Sequence, residues 1–354
     1  MVVLDLLAIA VGLNVFAIFH HVLDYWGVRI GEKTIEPIVL ATLPPEPTPA
    51  AVPTAEPQPI EATPEPEAEP TPEPTPARVY SGMWGELYAD QFTEGEVIQT
   101  EDSYKSENVS ITITRYDKPG LVYFVADIYV SDLKYFGTAF AGGAGTGDFN
   151  SGNAMINTIG KRVDAVIAIC GDHYYGRREG MVVRNGVFWR DTHNEDVCVL
   201  YTDGTMVTMM DDELDIEAVK EAKPWQVWSF GPGLLDEEGH AKTFTDNQSN
   251  VLGVNAKNPR CAIGYYAPGH YCFVKVEGNR WGKFIGSYGM DFSEMAEMFE
   301  ELGCKCAYNL DGGRSAAMYW QGEIFSTNYD RQISDIVYIT DKPVTTAAAD
   351  ESEG

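Results

Sequence analysis

Apolar and polar residues are arranged in three different ways along this 354-residue chain. Residues 2–19, VVLDLLAIAVGLNVFAIF, are almost wholly apolar, interrupted by Asp5, Gly12 and Asn14. Residues 44–77 show no apolar period at all. From residue 79 onward, short apolar or alternating runs are separated by glycine-bearing turns, which is the pattern of strands in a mixed domain. The runs at 110–116 and 121–130 flank a Lys-Pro-Gly turn and predict a hairpin. Further strands are predicted at 164–170, within 180–190, 197–209, 225–239 and 261–278, and at 306–310, 317–320, 323–325 and 335–340. Asn185-Gly186 and Asp203-Gly204 supply hairpin turns, because both residue types tolerate the positive φ such turns need. Helices are predicted at 151–161, near 214–222 and at 292–303. The last begins with Asp291 and has Glu294 three residues later, a capping box. Its stripe of Phe292, Met295, Phe299 and Leu302 reads as core packing. The expected fold class is α+β: a sheet-rich mixed domain with a few packed helices, preceded by an N-terminal membrane segment and a Pro/Glu-rich spacer.

The apolar segment sits at the lower edge of what crosses a bilayer as a helix, and Val22, Leu23 and Tyr25 extend it past His20 and His21. It lacks a basic n-region and a small-x-small cleavage site. Residues 1–27 therefore read as an uncleaved anchor; a cleaved signal is the next reading and a buried core helix the plainest one. No Lys or Arg precedes the segment, whereas Arg29 and Lys33 follow it, which mildly opposes an outside domain. The linker at 28–78 shifts that balance. Thirteen of the chain's 20 prolines lie in 44–77. They remove backbone donors and fix φ, so the stretch is expected to be an extended, semi-rigid spacer kept open by its glutamates. A proline-rich recognition tract is the alternative. The globular domain spans 79–341, followed by an acidic, disordered tail at 342–354. This organisation implies a single-pass membrane protein with an extracellular domain, or a secreted one if the first segment is cleaved.

Charge narrows the partners. The chain carries a formal net charge of −28, and the part after Arg78 holds 42 acidic and 22 basic side chains. Such a surface repels nucleic acid and anionic headgroups. A small phosphorylated ligand is still admitted, since one local arginine outweighs a distant field. All six cysteines (170, 198, 261, 272, 304 and 306) lie in the globular part. An even number permits disulfides without assigning pairs. Cys304-Lys305-Cys306 is too tight for a zinc knuckle. Cys198, Cys261 and Cys272 lie on apolar runs and read as core.

Two strand ends concentrate chemistry. The strand at 164–170 runs into Gly171, Asp172, His173 and Tyr174. The strand at 306–310 runs into Asp311, Gly312, Gly313, Arg314 and Ser315. Loops after buried strands are rigid platforms for reactive groups. His173 moves protons near neutral pH; its plainer reading is a satisfied structural histidine. Gly312 and Gly313 permit successive amides to line an anion nest, and Arg314 offers a bidentate contact to phosphate or carboxylate. The plainer reading there is an ordinary turn with a solvated arginine. The glycine-rich stretch 141–150 lacks the Lys-Ser/Thr of a phosphate loop.

Five elements in one order carry a resemblance: Cys170-Gly171-Asp172-His173-Tyr174, then residues 180–186, then Phe230-Gly231-Pro232, then Ala262-Ile263-Gly264, and finally Asn309-Leu310-Asp311-Gly312-Gly313 through Ser315. The series resembles the phosphodiester glycosidase family over roughly residues 105–341. That family includes the lysosomal uncovering enzyme and many bacterial members described as exopolysaccharide-related. The resemblance implies hydrolysis of a sugar-1-phosphodiester in a cell-surface or extracellular glycan by a secreted or membrane-attached protein. It implies catalytic roles for Asp172 and Asp311, beside which His173 is the candidate base or general acid from its own chemistry. Substrate or phosphate contacts fall to Gly171, Tyr174, Asn309, Gly312, Gly313, Arg314 and Ser315, with Arg331 as a second phosphate ligand. A divalent cation, calcium or magnesium, suits the carboxylate and carbonyl oxygens, although no ligand spacing demands one. Cys170 replaces the family's usual asparagine, Arg314 a small residue, and Ala316-Ala317 a serine-threonine pair. Those departures remove polar groups from both sides of the implied site. Two competing readings follow: a non-catalytic module that binds a glycan or wall polymer, and a phosphodiesterase that cleaves P–O instead of C1–O.

Overall fold

The computed structural model describes residues 82–244, 256–278, 286–325 and 331–344. The anchor expected at 1–27, the spacer at 28–78 and all but the first residues of the 342–354 tail lie outside them. All described residues belong to the unit Pro74–Gly354. Among them, no helix is long and apolar enough to cross a membrane.

In chain order the first strands are β1 (Ile98–Gln99), β2 (Ser103–Lys105), β3 (Val109–Lys118), β4 (Leu121–Val130) and β5 (Phe136–Phe140). Helix α1 (Ile156–Arg162) precedes β6 (Ala165–Cys170), β7 (Val182–Arg184), β8 (Val187–Arg190), β9 (Val197–Tyr201) and β10 (Met206–Met209). Helix α2 (Ile216–Glu221) leads to β11 (Pro224–Trp228), β12 (Arg260–Ala267) and β13 (His270–Val276). Helix α3 (Phe292–Glu301) leads to β14 (Cys306–Asn309), β15 (Met318–Trp320), β16 (Glu323–Ile324) and β17 (Asp335–Thr340). The strands form three sheets, ordered β1-β2-β3-β4-β13-β12-β14, β10-β9-β11-β7-β8 and β16-β15-β6-β17-β5. Every recorded pairing is antiparallel. The molecule is thus a mixed α+β domain of antiparallel sheets with a few short helices.

Strand alternation decides the layers. On β4, Phe124, Ala126 and Ile128 enter the main core, while Tyr123 and Val125 enter a second cluster on the opposite face. On β13, Tyr271 and Phe273 face the first core and Cys272, Val274 and Val276 the second. The seven-stranded sheet is therefore covered on both sides, so its centre reads as continuous apolar runs. Its main-core face meets Ile167 and Ile169 of β6 and Val337 and Ile339 of β17. Its other face is closed by Met295 and Phe299 of α3. That helix starts with the expected capping box, the Asp291 and Glu294 side chains each accepting the other residue's backbone N–H. Val183, Val199 and Val227 of the second sheet pack on Leu214 and on Val219 of α2. All six cysteines are buried free thiols.

Candidate active site

Three strands, one from each sheet, end at the same place: β6 at Cys170, β11 at Trp228 and β14 at Asn309. Hydrogen bonds knit the loops that follow. The Asp311 amide donates to the Gly171 carbonyl at 2.9 Å. The Ser229 amide donates to Asp172 Oδ2 at 3.0 Å. Asn309 Nδ2 donates to the Gly231 carbonyl at 2.7 Å. The two loops singled out in the sequence, 171–176 and 309–315, are thereby neighbours.

At their junction His173 Nδ1 lies 3.9 Å from Asp311 Oδ2, with 27% of the histidine side chain and 12% of the aspartate side chain exposed. Both groups therefore border solvent while most of the aspartate is walled in. His173 has a φ of 57°, a left-handed backbone that histidine seldom adopts. Its ring crosses Gly176: a Cβ there would lie 2.2 Å from His173 Nε2. Burial pushes the Asp311 carboxyl upward. The Ser315 hydroxyl, the charges of His173 and Arg331, and the Gly312 amide pull in the opposite direction. The turn is braced from behind by the Cys170 thiol, which donates to the Asp311 carbonyl at 2.7 Å.

The remaining expected site residues divide into those near the mouth and those beneath it. Arg314 is exposed on the 3-10 turn Gly313–Ser315, and Arg331 is exposed close enough to act on Asp311. Ser315 is buried beside the carboxylate. Asn309 is fully buried, and its Nδ2 donates to the Gly231 carbonyl. Tyr174 is buried too; its hydroxyl donates to the Phe149 carbonyl at 2.8 Å and its ring stacks on Phe149 at 4.9 Å. Gly171 lies against β17, where a Cβ would meet Asp335 Oδ1 at 2.2 Å. The Gly312-Gly313 anion nest is not formed. The Gly312 amide donates to Asp311 Oδ1 at 2.9 Å, and the Gly313 amide donates to the Pro259 carbonyl at 2.8 Å. The turn folds back on its neighbours, so its amides are already satisfied.

Asp172 differs most from its expected role. It is fully buried. Its Oδ1 accepts from the Tyr174 amide at 3.1 Å, and its Oδ2 accepts from Ser229 and pairs with Arg184 Nη2 at 2.8 Å. Arg184 is itself buried and also pairs with Asp335 at 2.9 Å. Among the described residues no group of three or more His, Cys, Asp or Glu is gathered as a metal site.

The profile of the phosphodiester glycosidase family matches residues 163–342, just over half of the chain and all of the loops described above. The chain belongs to this family. A zebrafish structure, the catalytic domain of N-acetylglucosamine-1-phosphodiester alpha-N-acetylglucosaminidase auto-inhibited by its pro-peptide, is similar in fold, with a TM-score of 0.54 at 20% identity. The match covers 70% of this chain and 88% of that one. The SPbeta prophage-derived uncharacterized protein YomE of Bacillus subtilis (strain 168) is 26% identical over 193 residues, which is 52% of this chain. The chain spans only 29% of the length of that relative.

In this family member, Arg184 lies within the 180–186 element of the resemblance but had no role assigned from the sequence, and Asp335 was not singled out. Arg184 was visible as a charge closing the apolar run Met181-Val182-Val183 before a hairpin turn. Asp335 was visible as a charge at the start of the apolar run 336–339. A charge at the end of a buried strand demands a partner, and these two, 151 residues apart, supply it to each other.

Proposed function

We propose that the chain hydrolyses a glycosyl-1-phosphodiester of a cell-surface or extracellular glycan, and that Asp311 and His173 carry the reaction. The observation behind this reading is the carboxylate–imidazole contact at the mouth, where the carboxylate is largely desolvated and the imidazole borders solvent. His173 takes a proton from a water that attacks the sugar C1. The C1–O bond breaks, the oxygen leaves with phosphorus as a phosphomonoester, and the positive charge that develops on the sugar faces the Asp311 carboxylate. Asp311 also orients the imidazole. The leaving group is already acidic, so acid assistance contributes less than charge stabilisation. Because the Gly312 and Gly313 amides are engaged, the phosphate falls to the exposed guanidinium groups of Arg314 and Arg331. Asp172, with its oxygens occupied, supports the loop and leaves the chemistry to Asp311.

The test is turnover of a nucleotide-sugar by the full chain in 18O-labelled water. Label in the sugar hydroxyl supports C1–O cleavage. Label in the phosphate would reassign the protein as a phosphodiesterase, and binding without turnover would make it a glycan-binding module. Asp311→Asn retaining full turnover would remove that residue from the mechanism. The apolar run at 2–19 and the proline-rich spacer support a domain held outside the membrane on an anchor. Loss of the domain from intact cells after external protease treatment checks that placement.

A further inference from the structure

We infer that Arg184 and Asp335 are positioning residues which, through Asp172, fix the backbone on both sides of His173 and hold its imidazole against Asp311. The inference rests on the reading of His173 and Asp311 given above. His173 occupies a sparsely populated backbone region, which persists only where the surroundings over-determine it. The surroundings that do so are specific. On its N-terminal side, the Asp172 amide donates to Asp335 Oδ1 at 3.2 Å and the Gly171 amide to the Asp335 carbonyl at 3.0 Å. On its C-terminal side, the Tyr174 amide donates to Asp172 Oδ1 at 3.1 Å. The two carboxylates are joined by one guanidinium. Arg184 Nε and Nη2 reach Asp335 Oδ2 at 3.1 and 2.9 Å, and Nη2 also reaches Asp172 Oδ2 at 2.8 Å. Arg184 Nη1 donates to the Val183 carbonyl at 3.1 Å and to the Val227 carbonyl, which anchors it to β7 and β11.

Stability alone does not account for this arrangement. Three charged side chains are buried together, and apolar residues of similar volume commonly serve a core at least as well. What an apolar core cannot do is accept the amide protons of residues 172, 174 and 229. Three of the four carboxylate oxygens in the cluster accept an amide of a loop that shapes the mouth, and the fourth, Asp335 Oδ2, accepts from Arg184. Gly171 is the concession that lets the loop approach: any side chain there would occupy the space of the Asp335 carboxylate.

The experiment uses the full chain with Arg184→Lys and, separately, Asp335→Asn. Turnover of a nucleotide-sugar is normalised to the folded fraction from circular dichroism, and the His173 imidazole is titrated by NMR with labelled histidine. The expected result is a fall in kcat of about 10- to 100-fold with KM within about twofold, as misplacement of a reacting group gives. The His173 titration midpoint should move from the wild-type value toward that of Asp311→Asn. Unchanged kcat per folded molecule together with an unchanged midpoint would overturn the inference. If Arg184→Lys does not fold, Asp335→Asn decides, since its side-chain oxygen still accepts from the Asp172 amide. If wild type and Asp311→Asn turn over equally, the catalytic reading fails. The NMR midpoint still rules on positioning: movement in the variants supports it and constancy refutes it.

Discussion

Asp172 and Asp311 look alike in the sequence. Each follows a buried strand by one or two residues, and each stands beside glycine in a short turn. The fold gives them opposite lives. Asp172 is sealed, and its oxygens accept from two amides and a guanidinium. Asp311 accepts from the amide of its own turn and turns its second oxygen toward His173 and the solvent. A carboxylate whose lone pairs are filled is a structural element, and one left partly open at a rigid strand end is available for chemistry. The difference lies in which residues far along the chain reach each group.

Substitutions at the two positions should therefore fail in different ways. Asp311→Asn is expected to lower turnover by about 10²- to 10⁴-fold, the usual range for a proton-transfer group. Its thermal midpoint should stay level or rise, because burial disfavours the charge that the amide removes. A fall in both activity and midpoint would return Asp311 to a structural role. Asp172→Ala should do the reverse: it leaves two buried amide donors without their acceptor and Arg184 with one carboxylate instead of two, and costs about 3–5 kcal/mol of stability. Urea unfolding followed by circular dichroism measures that cost, and a loss below about 1 kcal/mol would show that Asp172 is dispensable to the fold. Gly176→Ala lies between them. The new methyl claims the space of His173 Nε2, so kcat should drop about 10-fold while the thermal midpoint barely moves. Unaltered kcat would mean that the imidazole position observed here is not the working one.

Much of this contrast was legible in the sequence, and the reason is locality. The capping box of α3 is written in Asp291 and Glu294, and the β7–β8 turn in Asn185-Gly186, whose residues take φ of 53° and 78°. The hairpins expected around the turn after Asp117 and within 261–278 form as β3–β4 and β12–β13. That loops 171–176 and 309–315 flank one site was implied by the family resemblance, and the Asp311 amide on the Gly171 carbonyl makes them neighbours. What the residues could not disclose was occupancy. Gly312-Gly313 has the composition of an anion nest, but whether its amides are free depends on the Pro259 carbonyl, more than fifty residues earlier. Tyr174 has the composition of a sugar contact, but Phe149 and the Phe149 carbonyl claim its ring and hydroxyl. Asp172 reads as a catalytic carboxylate until Arg184 is placed beside it.

A further expected effect lies in pH, and it sharpens the same contrast. Asp172 and Asp335 share one guanidinium, so with both carboxyls ionised the buried cluster is left with an excess negative charge. Burial pushes the Asp335 carboxyl up to about 7, with Arg184 opposing and Asp172 reinforcing the rise. The folded protein then keeps a proton that an unfolded chain releases at the ordinary aspartate value of 3.8. A raised folded-state value means that this group's stabilising contribution is complete below about pH 4 and is lost as pH climbs through about 7. Unfolding midpoints in urea should thus decline between about pH 5 and pH 7 and level off above it. Asp335→Asn should flatten that decline, whereas Asp311→Ala, which leaves the ion-paired cluster intact, should largely preserve it. If the decline survives in Asp335→Asn, the proton resides elsewhere and the cluster is held by two ionised carboxylates. If it survives only where Asp335 is intact, the sealed carboxylates titrate with folding, and the open one is left to titrate with catalysis.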